Sequence, residues 1–255
     1  MILNPFALKG PQFLIFYICL FMLLLIIKSY IQKKRELSGN TIPRDLDTYE
    51  IAYLFKGARH AFDVAVLSLI SRGLLILDGK KLRRAPGTDP SYVRHDLEKT
   101  IIDIAQKDIS VDNLYYDLDL KKEIDCILTK LKKKKLLPDE AIKKQRTKLK
   151  HFLIAILAIV AGIKILIAIK LGRPFSLLIL LFLIFSWIIL DVDEPLLTEL
   201  GKKTKKMLKM SYRNLKKRNS AIPLNGATNE LSLLAAVFGF GALPFAAKYI
   251  ANALT

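Results

Sequence analysis

The stretch HFLIAILAIVAGIKILIAIKLGRPFSLLILLFLIFSWIIL, residues 151–190, decides the fold class of this chain. It contains two apolar runs, residues 151–169 and 175–190, and Gly172 and Pro174 lie in the short connection between them. A helix of about 20 apolar residues crosses the hydrocarbon core of a bilayer, and glycine with proline favours a tight turn. The stretch therefore predicts a transmembrane helical hairpin, within a segment 149–191.

A third apolar run lies near the N-terminus, at about residues 11–31 within a segment 1–33, and a cluster of Lys33, Lys34 and Arg35 follows it. One lysine precedes the run and no small-residue cleavage site follows it, so the pattern favours a signal-anchor helix over a cleaved signal peptide. The chain is thus predicted to be mainly α-helical, with about three transmembrane helices.

The charged residues predict the orientation of these helices. The chain holds 41 Lys and Arg against 23 Asp and Glu, a net charge of +18. Residues 28–150 contain 27 Lys and Arg against 18 Asp and Glu, and residues 201–218 contain nine Lys and Arg and no acids. Since basic residues accumulate on the cytoplasmic side of membrane proteins, we expect a multi-pass protein of the plasma (inner) membrane with its N-terminus outside.

Residues 34–148 are predicted to form the main cytoplasmic domain. In order, their patterns predict two helices and the two strands of a hairpin: Glu50–Phe55, Ala58–Arg72, Leu74–Leu77 and Lys80–Arg84. Gly73 occupies a helix C-cap position, and Asp78-Gly79 is a strong hairpin turn signal. Two helices followed by a hairpin is the order of a winged-helix unit, so the domain is predicted to be winged-helix-like.

A weaker copy of this order follows in the same domain. Apolar residues at helical spacing predict amphipathic helices at Leu97–Ala105 and Leu120–Leu131. The end of the second, KKLL at residues 134–137, resembles SRGLL at residues 71–75, because both join a basic turn to a Leu-Leu step. Two related helical units in tandem and coincidence are both open.

The C-terminal part divides into a basic amphipathic cytoplasmic segment, residues 192–220, and an apolar segment, residues 221–255. Within the latter, residues 231–247 are interrupted by Gly239, Gly241 and Pro244. Three placements are open: a fourth span, a re-entrant piece, or an apolar helix packed on the soluble domain or lying at the interface. The last is preferred.

A signature in the soluble domain resembles a family of uncharacterised bacterial membrane proteins. The residues are Glu50-x-Ala52-Tyr53-Leu54-x-x-Gly57-x-Arg59, continued by Arg72-Gly73-Leu74-Leu75, and the family has E-x-A-Y-L-x-G-G-x-R just after a first span. Further similar stretches follow in order: Gly172-Arg173-Pro174, Leu197-Thr198-x-x-Gly201 and Val237–Leu243. Lys56 stands where the family has the first glycine of its pair. The resemblance implies a fold and a membrane location rather than an activity.

The signature gives five candidate partner contacts: Glu50, Tyr53, Gly57, Arg59 and Gly73. Structural roles compete with this interpretation and are preferred. Glu50 and Arg59 would form an internal ion pair or a helix cap, Tyr53 would be a core or half-core residue, and the glycines would allow turns.

Six basic residues are expected to face anionic lipid headgroups: Lys202, Lys203, Lys205, Lys206, Lys209 and Arg213. Apolar residues alternate with them, which is typical of an amphipathic basic helix lying on a bilayer. Nucleic acid would attract the same charge, but a membrane tether makes the required geometry awkward.

The sequence contains no recognisable catalytic or metal-binding pattern. The serines lack a nucleophile elbow, Cys126 has no neighbouring histidine, and no phosphate-binding glycine loop occurs. The histidines, His60, His95 and His151, are too far apart for a compact zinc site. We therefore expect no enzyme activity, no cofactor and no metal.

For two other charged features we prefer a structural role to a functional one. The acidic cluster of Asp191, Asp193 and Glu194 is expected to pair with nearby lysines rather than bind a cation. Lys164, inside the second span, is expected to extend its ammonium to the outer surface of the membrane.

Three functions fit these features. The preferred one is a membrane-anchored adaptor or scaffold, in which the winged-helix-like domain binds a cytoplasmic or membrane protein or a peptide. The alternatives are a membrane-bound DNA-binding regulator and a subunit of a membrane transport or maturation complex. The partner and the oligomeric state are left open by the sequence.

Overall fold

The computed structural model describes residues 10–38, 41–88, 93–191, 196–223 and 229–254. The chain is mainly helical, as the sequence predicts, and it contains one small three-stranded sheet. The elements in chain order are α1 (Gly10–Leu37), α2 (Thr48–Lys56), α3 (Ala58–Ser71), β1 (Leu75–Asp78), β2 (Lys81–Arg84), α4 (Asp96–Ile104), β3 (Ile109–Ser110), α5 (Val111–Leu114), α6 (Leu118–Lys133), α7 (Glu140–Lys170), α8 (Ser176–Asp191), α9 (Glu199–Ser211), α10 (Arg213–Lys217), α11 (Glu230–Phe238) and α12 (Lys248–Leu254).

The chain divides into two compact units. Unit 1 comprises Met1–Asn40 with Pro138–Glu199, and unit 2 comprises Thr41–Leu137 with Leu200–Thr255. Unit 2 therefore takes in most of the basic segment and the apolar C-terminal segment, which the sequence predicts as separate regions.

Unit 1 contains the three apolar runs, and all three are helical. Within the described residues, α1 and α7 are long and apolar enough to cross a membrane, and α8 is a shorter apolar helix. α7 begins at Glu140, so the end of the predicted soluble domain belongs to this helix. Gly172 has a φ of +61° in the turn between α7 and α8, which is the tight connection that the glycine and proline predict.

The helices of unit 1 pack through one stripe of buried side chains on each helix. On α1 the stripe is Phe13, Tyr17, Phe21 and Leu24, and on α7 it is Leu149, Leu153, Leu157 and Ala161. The spacing of three or four residues places each set on one helix face. The Tyr17 hydroxyl donates to the Leu157 carbonyl at 3.2 Å, and the Phe21 ring stacks on Phe185 of α8.

One buried ion pair joins the ends of α1 and α7. Arg146 donates from Nε and Nη2 to Glu36 Oε1 at 2.8 and 2.7 Å, and both residues are buried. Glu36 Oε2 also accepts the Glu199 backbone N–H at 2.7 Å, and Arg146 reaches the Leu197 carbonyl at 3.4 Å. The pair thus fixes α1, α7 and the segment that follows α8.

In unit 2 the first two predicted helices and the hairpin are confirmed. Asp47 caps α2 in a capping box with Glu50. β1 and β2 pair in antiparallel register, with Leu77 opposite Leu82 and Asp78 opposite Lys81. A third strand, β3, pairs with β2 and was not predicted, because two residues carry no periodic signal.

The second helical unit is present only in part. The C-terminal ends of α3 and α6 have the same backbone pattern: the Gly73 and Lys135 N–H groups donate to Ile70 and Lys132, and those of Leu74 and Leu136 donate to Leu69 and Leu131. This is a Schellman motif at both ends. However, no hairpin follows Leu137, because Asp139 caps α7 directly. The likeness between the two stretches is therefore a shared helix end rather than a repeated unit.

The apolar C-terminal segment folds onto unit 2. α11 packs against α2 and α3, and Leu231, Leu234 and Ala235 are buried there. This arrangement matches the preferred placement, an apolar helix packed on the soluble domain. Whether the unit is a winged-helix domain stays a prediction.

Candidate docking surface

The signature carboxylate Glu50 lies inside unit 2 and holds backbone and side chain together. Its Oε2 accepts the Asp47 backbone N–H at 3.1 Å and the Lys134 ammonium at 2.8 Å. The side chain is 6% exposed. Glu50 therefore caps α2 and ties its start to the end of α6, which leaves little of the carboxylate for a partner.

The two signature glycines occupy helix ends. Gly57 connects α2 directly to α3 with a φ of +86°, and its N–H donates to the Tyr53 carbonyl at 2.8 Å. Gly73 has a φ of +71° after α3. Both conformations are unfavourable for side chains with a Cβ, so glycine is needed for geometry at these positions.

Arg59 belongs to a cluster on α3 and α5. Its guanidinium carbon lies 4.7 Å from the centroid of the Tyr115 ring, and the Tyr115 hydroxyl donates to Asp63. Burial raises the pKa of Asp63 to about 6, although the Tyr115 hydrogen bond and the Arg59 charge oppose the shift. The exposed Arg59 side chain therefore lies over the Tyr115 ring, close to the buried Asp63 carboxyl group.

Tyr53 is half-buried on α2. Burial and the nearby charge of Asp125 raise the pKa of its phenol. Taken together, the signature residues connect α2 to α3, α5 and α6, and they do not meet in one exposed patch.

A second buried polar cluster, which the sequence did not reveal, surrounds Glu98 of α4. The carboxylate accepts hydrogen bonds from the hydroxyls of Tyr49 and Ser68, the latter at 3.2 Å. It also forms an ion pair with Arg72 at 2.7 Å. Burial, with the Glu98 charge, raises the pKa of the Tyr49 phenol. Three donors saturate the carboxylate, so the cluster links α2, α3 and α4.

The histidines lie in three separate surroundings. His60 is buried and its Nε2 lies 3.1 Å from the Ala235 carbonyl, while His95 Nε2 lies 3.5 Å from Asp47. His151 is exposed on α7. Among the described residues, no three His, Cys, Asp or Glu side chains are grouped as a metal site requires.

The predicted lipid-facing residues on α9 and α10 divide into two kinds. Five are exposed: Lys202, Lys203, Lys206, Lys209 and Arg213. Lys205 instead donates to the Phe55 carbonyl at 2.9 Å, and its ammonium lies 5.0 Å from the centroid of the Phe55 ring. Burial, then the charges of Lys209 and Lys56, lower its pKa. Lys205 therefore fastens α9 to the end of α2 and differs from the other five.

Lys164 lies near the turn of unit 1, where its ammonium is 4.8 Å from the centroid of the Phe13 ring. It lines a cavity of about 250 Å³ with Arg173 and mostly apolar neighbours. Of the predicted acidic cluster, Asp193 and Glu194 lie outside the described residues, and Asp191 is described only as the last residue of α8.

The main exposed feature that the sequence analysis missed is an acidic groove between α4 and α6. Its volume is about 650 Å³. The lining residues are Thr100, Asp103, Ile104, Lys107, Ile109, Asp117, Asp119, Lys122 and Glu123. Lys122 already pairs with Asp119 at 2.7 Å, and the other charged lining residues are three acids and Lys107, so the groove is acidic on balance.

Two exposed apolar residues flank groove residues in the sequence. Tyr116 is 76% exposed and Leu118 is 72% exposed. They adjoin the groove residues Asp117 and Asp119 in sequence. Exposed aromatic and aliphatic side chains next to a polar rim are typical of protein-binding surfaces. We call Tyr116, Leu118 and the groove residues the acidic docking surface.

A sequence signal for this surface does exist. Residues 103–125 contain seven acids and three lysines, in a chain whose net charge is +18. This excess of acids in a basic chain would have indicated an acidic surface to which a partner could bind. It would not have indicated the groove, because Asp103 and Glu123 come from different helices.

Comparison of the chain with family models, curated proteins and solved structures gave no match, so the resemblance of the signature to a family of bacterial membrane proteins stays a prediction.

Proposed function

We propose that this protein is a membrane-anchored adaptor whose unit 2 binds a basic, partly apolar segment of another protein. In this proposal, α1 and the α7–α8 hairpin lie in the membrane and unit 2 lies in the cytoplasm. The positions of the basic residues support that orientation, since 36 of the 41 fall in residues 28–150 and 201–218.

The acidic docking surface is the observation that carries the proposal. A lysine- or arginine-containing segment would pair with Asp103, Asp117 and Glu123, and its apolar residues would cover Tyr116 and Leu118. Aromatic anchors supply much of the free energy of protein binding, whereas rim charges set specificity and association rate. This division of roles matches the composition of the surface.

The burial of α3 favours an adaptor over a DNA-binding regulator. In a winged-helix unit that reads DNA, the helix before the hairpin enters the major groove. Here every residue from His60 to Ser71 is buried, and α2, α4 and α11 pack around the helix. A helix enclosed in this way has no free face for base edges.

Site-specific photo-crosslinking tests the proposal in the native membrane. A photoreactive phenylalanine analogue replaces Tyr116 in the full-length protein, and the cross-linked products are identified by mass spectrometry. We expect one dominant protein adduct, with the cross-linked peptide rich in Lys or Arg. Charge reversal at Asp103→Lys with Glu123→Lys should reduce the adduct about tenfold, because like charges would then face each other.

Matched variants separate the groove from general surface charge. Asp125→Lys changes an exposed acid on the same helix that does not line the groove, and should leave the adduct unchanged. The photoreactive residue at Ile76 of β1 should give no such adduct. Cross-linking only to a second copy of this chain, or equal yields from both positions, would overturn the adaptor proposal. Adducts with polytopic membrane proteins would favour a subunit of a membrane complex instead.

A further inference from the structure

The C-terminal end of unit 2 exposes two aromatic side chains on one face. Phe245 is 87% exposed and Tyr249 is 55% exposed. They are four residues apart, while Ala247 and Ile250, on the other face, are fully buried. The backbone here is therefore fixed by packing, and the rings point outward because the opposite face is occupied.

Basic residues lie beside Phe245 and on α10, which packs against the C-terminal segment. The Lys248 ammonium lies 5.6 Å from the centroid of the Phe245 ring. α10 packs against α11, the Lys216 ammonium lies 5.3 Å from the Phe238 ring, and the Asn219 amide donates to the Ala242 carbonyl at 3.1 Å. These contacts place α10 and the turn after it beside the C-terminal segment. The exposed basic residues brought there are Arg213, Lys216, Lys217, Arg218 and Lys248.

The charge of this region is almost entirely of one sign. Residues 200–255 contain ten Lys and Arg and a single acid, Glu230. By contrast, in the acidic docking surface of the same unit the exposed Tyr116 directly precedes Asp117 in the sequence. A partner for the C-terminal surface must therefore be anionic and must accept exposed aromatic rings.

We propose that Phe245 and Tyr249 insert into the headgroup–acyl boundary of a bilayer, while the surrounding lysines and arginines bind anionic lipid headgroups. Aromatic rings are favoured at this boundary, where one end of the side chain is apolar and the other is wet. Each basic residue near an anionic surface gains about 1 kcal/mol, and the gain falls off within a Debye length. Unit 2 thus has its own contact with the membrane, and the proposal requires no protein partner.

This contact would add to the anchoring by unit 1 rather than replace it. Peripheral contacts of a few aromatic and basic residues are reversible and depend on lipid composition. The fraction of unit 2 held at the surface should therefore follow the anionic lipid content, even when the helices of unit 1 stay inserted. The inference rests on the proposed membrane location only for the nearness of a bilayer.

Fluorescence quenching in vesicles tests this contact with the full-length chain. The native Trp187 is replaced by phenylalanine, and Phe245→Trp supplies the single reporter. The protein is reconstituted into vesicles of phosphatidylcholine with phosphatidylglycerol, and quenching by brominated acyl chains is compared with quenching by aqueous acrylamide. We expect blue-shifted emission and quenching by brominated lipid, with a loss of at least about half of that quenching when phosphatidylglycerol is omitted.

Two further variants give the contrast. Tyr116→Trp in the same background should be quenched by acrylamide and not by brominated lipid. Phe245→Trp with Lys216→Glu and Lys248→Glu should lose lipid quenching in the anionic vesicles. Two results would overturn the inference. One is red-shifted emission of the Phe245→Trp reporter that acrylamide quenches in anionic vesicles. The other is lipid quenching that is equally strong in neutral vesicles.

Alkaline extraction of the same vesicles separates this inference from the proposed anchoring. Protein that resists extraction but shows an acrylamide-accessible reporter at position 245 retains its anchor and lacks the C-terminal contact. Protein that is extracted, yet shows lipid quenching before extraction, has the contact without the anchor. The first result overturns the inference alone, and the second overturns the anchoring alone.

Discussion

The two units of this chain differ most in what they expose. Among the described residues, 27 large hydrophobic side chains are exposed, and 21 of them belong to unit 1. Ile15, Ile26 and Leu166 of unit 1 are each about two-thirds exposed, whereas the Glu36–Arg146 pair is buried. Apolar side chains on the outside are the arrangement expected of helices that face lipid.

In unit 2, by contrast, an exposed apolar side chain is unusual. Among the described residues of unit 2, six large hydrophobic side chains are exposed, and five of them lie in two charged stretches of the sequence. Tyr116 and Leu118 lie among acids, and Met210, Phe245 and Tyr249 lie on the basic C-terminal part. An exposed apolar residue therefore carries no information in unit 1, where it is the rule, and marks a candidate contact in unit 2, where it is the exception.

The largest expected effect concerns the polar interior of unit 1. Arg146→Met removes the guanidinium that donates to the buried Glu36 carboxylate, which should destabilise the protein by about 3–5 kcal/mol. Glu36→Leu combined with Arg146→Met should be clearly less harmful, since both charges of the pair are then removed. The measurement is unfolding of the full-length protein in mixed detergent micelles. A double variant as unstable as the single one would show that the lost hydrogen bonds to Leu197 and Glu199 matter more than the charge.

The next effect compares one substitution in both units. Ile159 on α7 is 62% exposed, and Ile76 on β1 is 37% exposed. Ile159→Lys, near the middle of the proposed span in α7, should oppose membrane insertion by about 3 kcal/mol. Ile76→Lys faces water and should change the free energy of unfolding by no more than about 0.5 kcal/mol.

An insertion assay in microsomes, with Ile159→Leu as the matched control, measures the first value, and denaturant unfolding measures the second. Equal small effects at both positions would mean that unit 1 is not surrounded by lipid.

These regions were not equally accessible from the sequence. The apolar runs were predicted because length and hydrophobicity are local properties, and so was the helix end at Gly73. The ends of the helices were less accurate: α7 extends back to Glu140, since charged residues continue a helix beyond the apolar core.

The candidate surfaces needed tertiary structure. The acidic docking surface joins Asp103 of α4 to Glu123 of α6, and no sequence spacing brings those helices together. The C-terminal run likewise gives no sign that Leu234 is buried while Phe245 is exposed. Lys205 was grouped with the other basic residues of α9 because its contact with Phe55 depends on how α9 packs.

A smaller effect concerns how the stability of unit 2 depends on pH. Burial raises the pKa of Asp63 in unit 2 from 3.8 to about 6, so the native state binds its proton more tightly than the unfolded chain does. Stability from this group is therefore fully present below about pH 4 and is lost as the pH rises to about 6. The loss is at most about 3 kcal/mol. Asp63→Asn should remove this pH dependence and raise the stability of unit 2 at pH 7.

His60 supplies the contrasting sign within the same unit. Burial, with the charge of Lys56 nearby, lowers the pKa of His60, so its contribution is present above about pH 6.5 and lost as the pH falls. His60→Gln should therefore flatten the acid side of the stability profile, whereas Asp63→Asn should steepen the fall of stability at low pH. Thermal unfolding of both variants between pH 4 and 8 measures the two slopes. Identical profiles for the two variants would contradict the assignment of opposite shifts.

The smallest effect concerns a helix end that the two units share. α3, α6 and α7 all end with a left-handed residue whose N–H groups close the last turn, but that residue is Gly73, Lys135 and Gly172 respectively. A side chain in this conformation costs about 1–2 kcal/mol, whereas glycine loses about 0.5–1 kcal/mol more backbone entropy on folding. Lys135→Gly should thus stabilise unit 2 by about 0.5–1 kcal/mol, and Gly73→Ala should destabilise it by about 1 kcal/mol. If Gly172→Ala in unit 1 has the same effect as Gly73→Ala, the stability cost of alanine at this helix end depends only on backbone geometry in both units. A distinctly larger effect in unit 1 would mean that the tight connection between α7 and α8 adds to the backbone cost at Gly172.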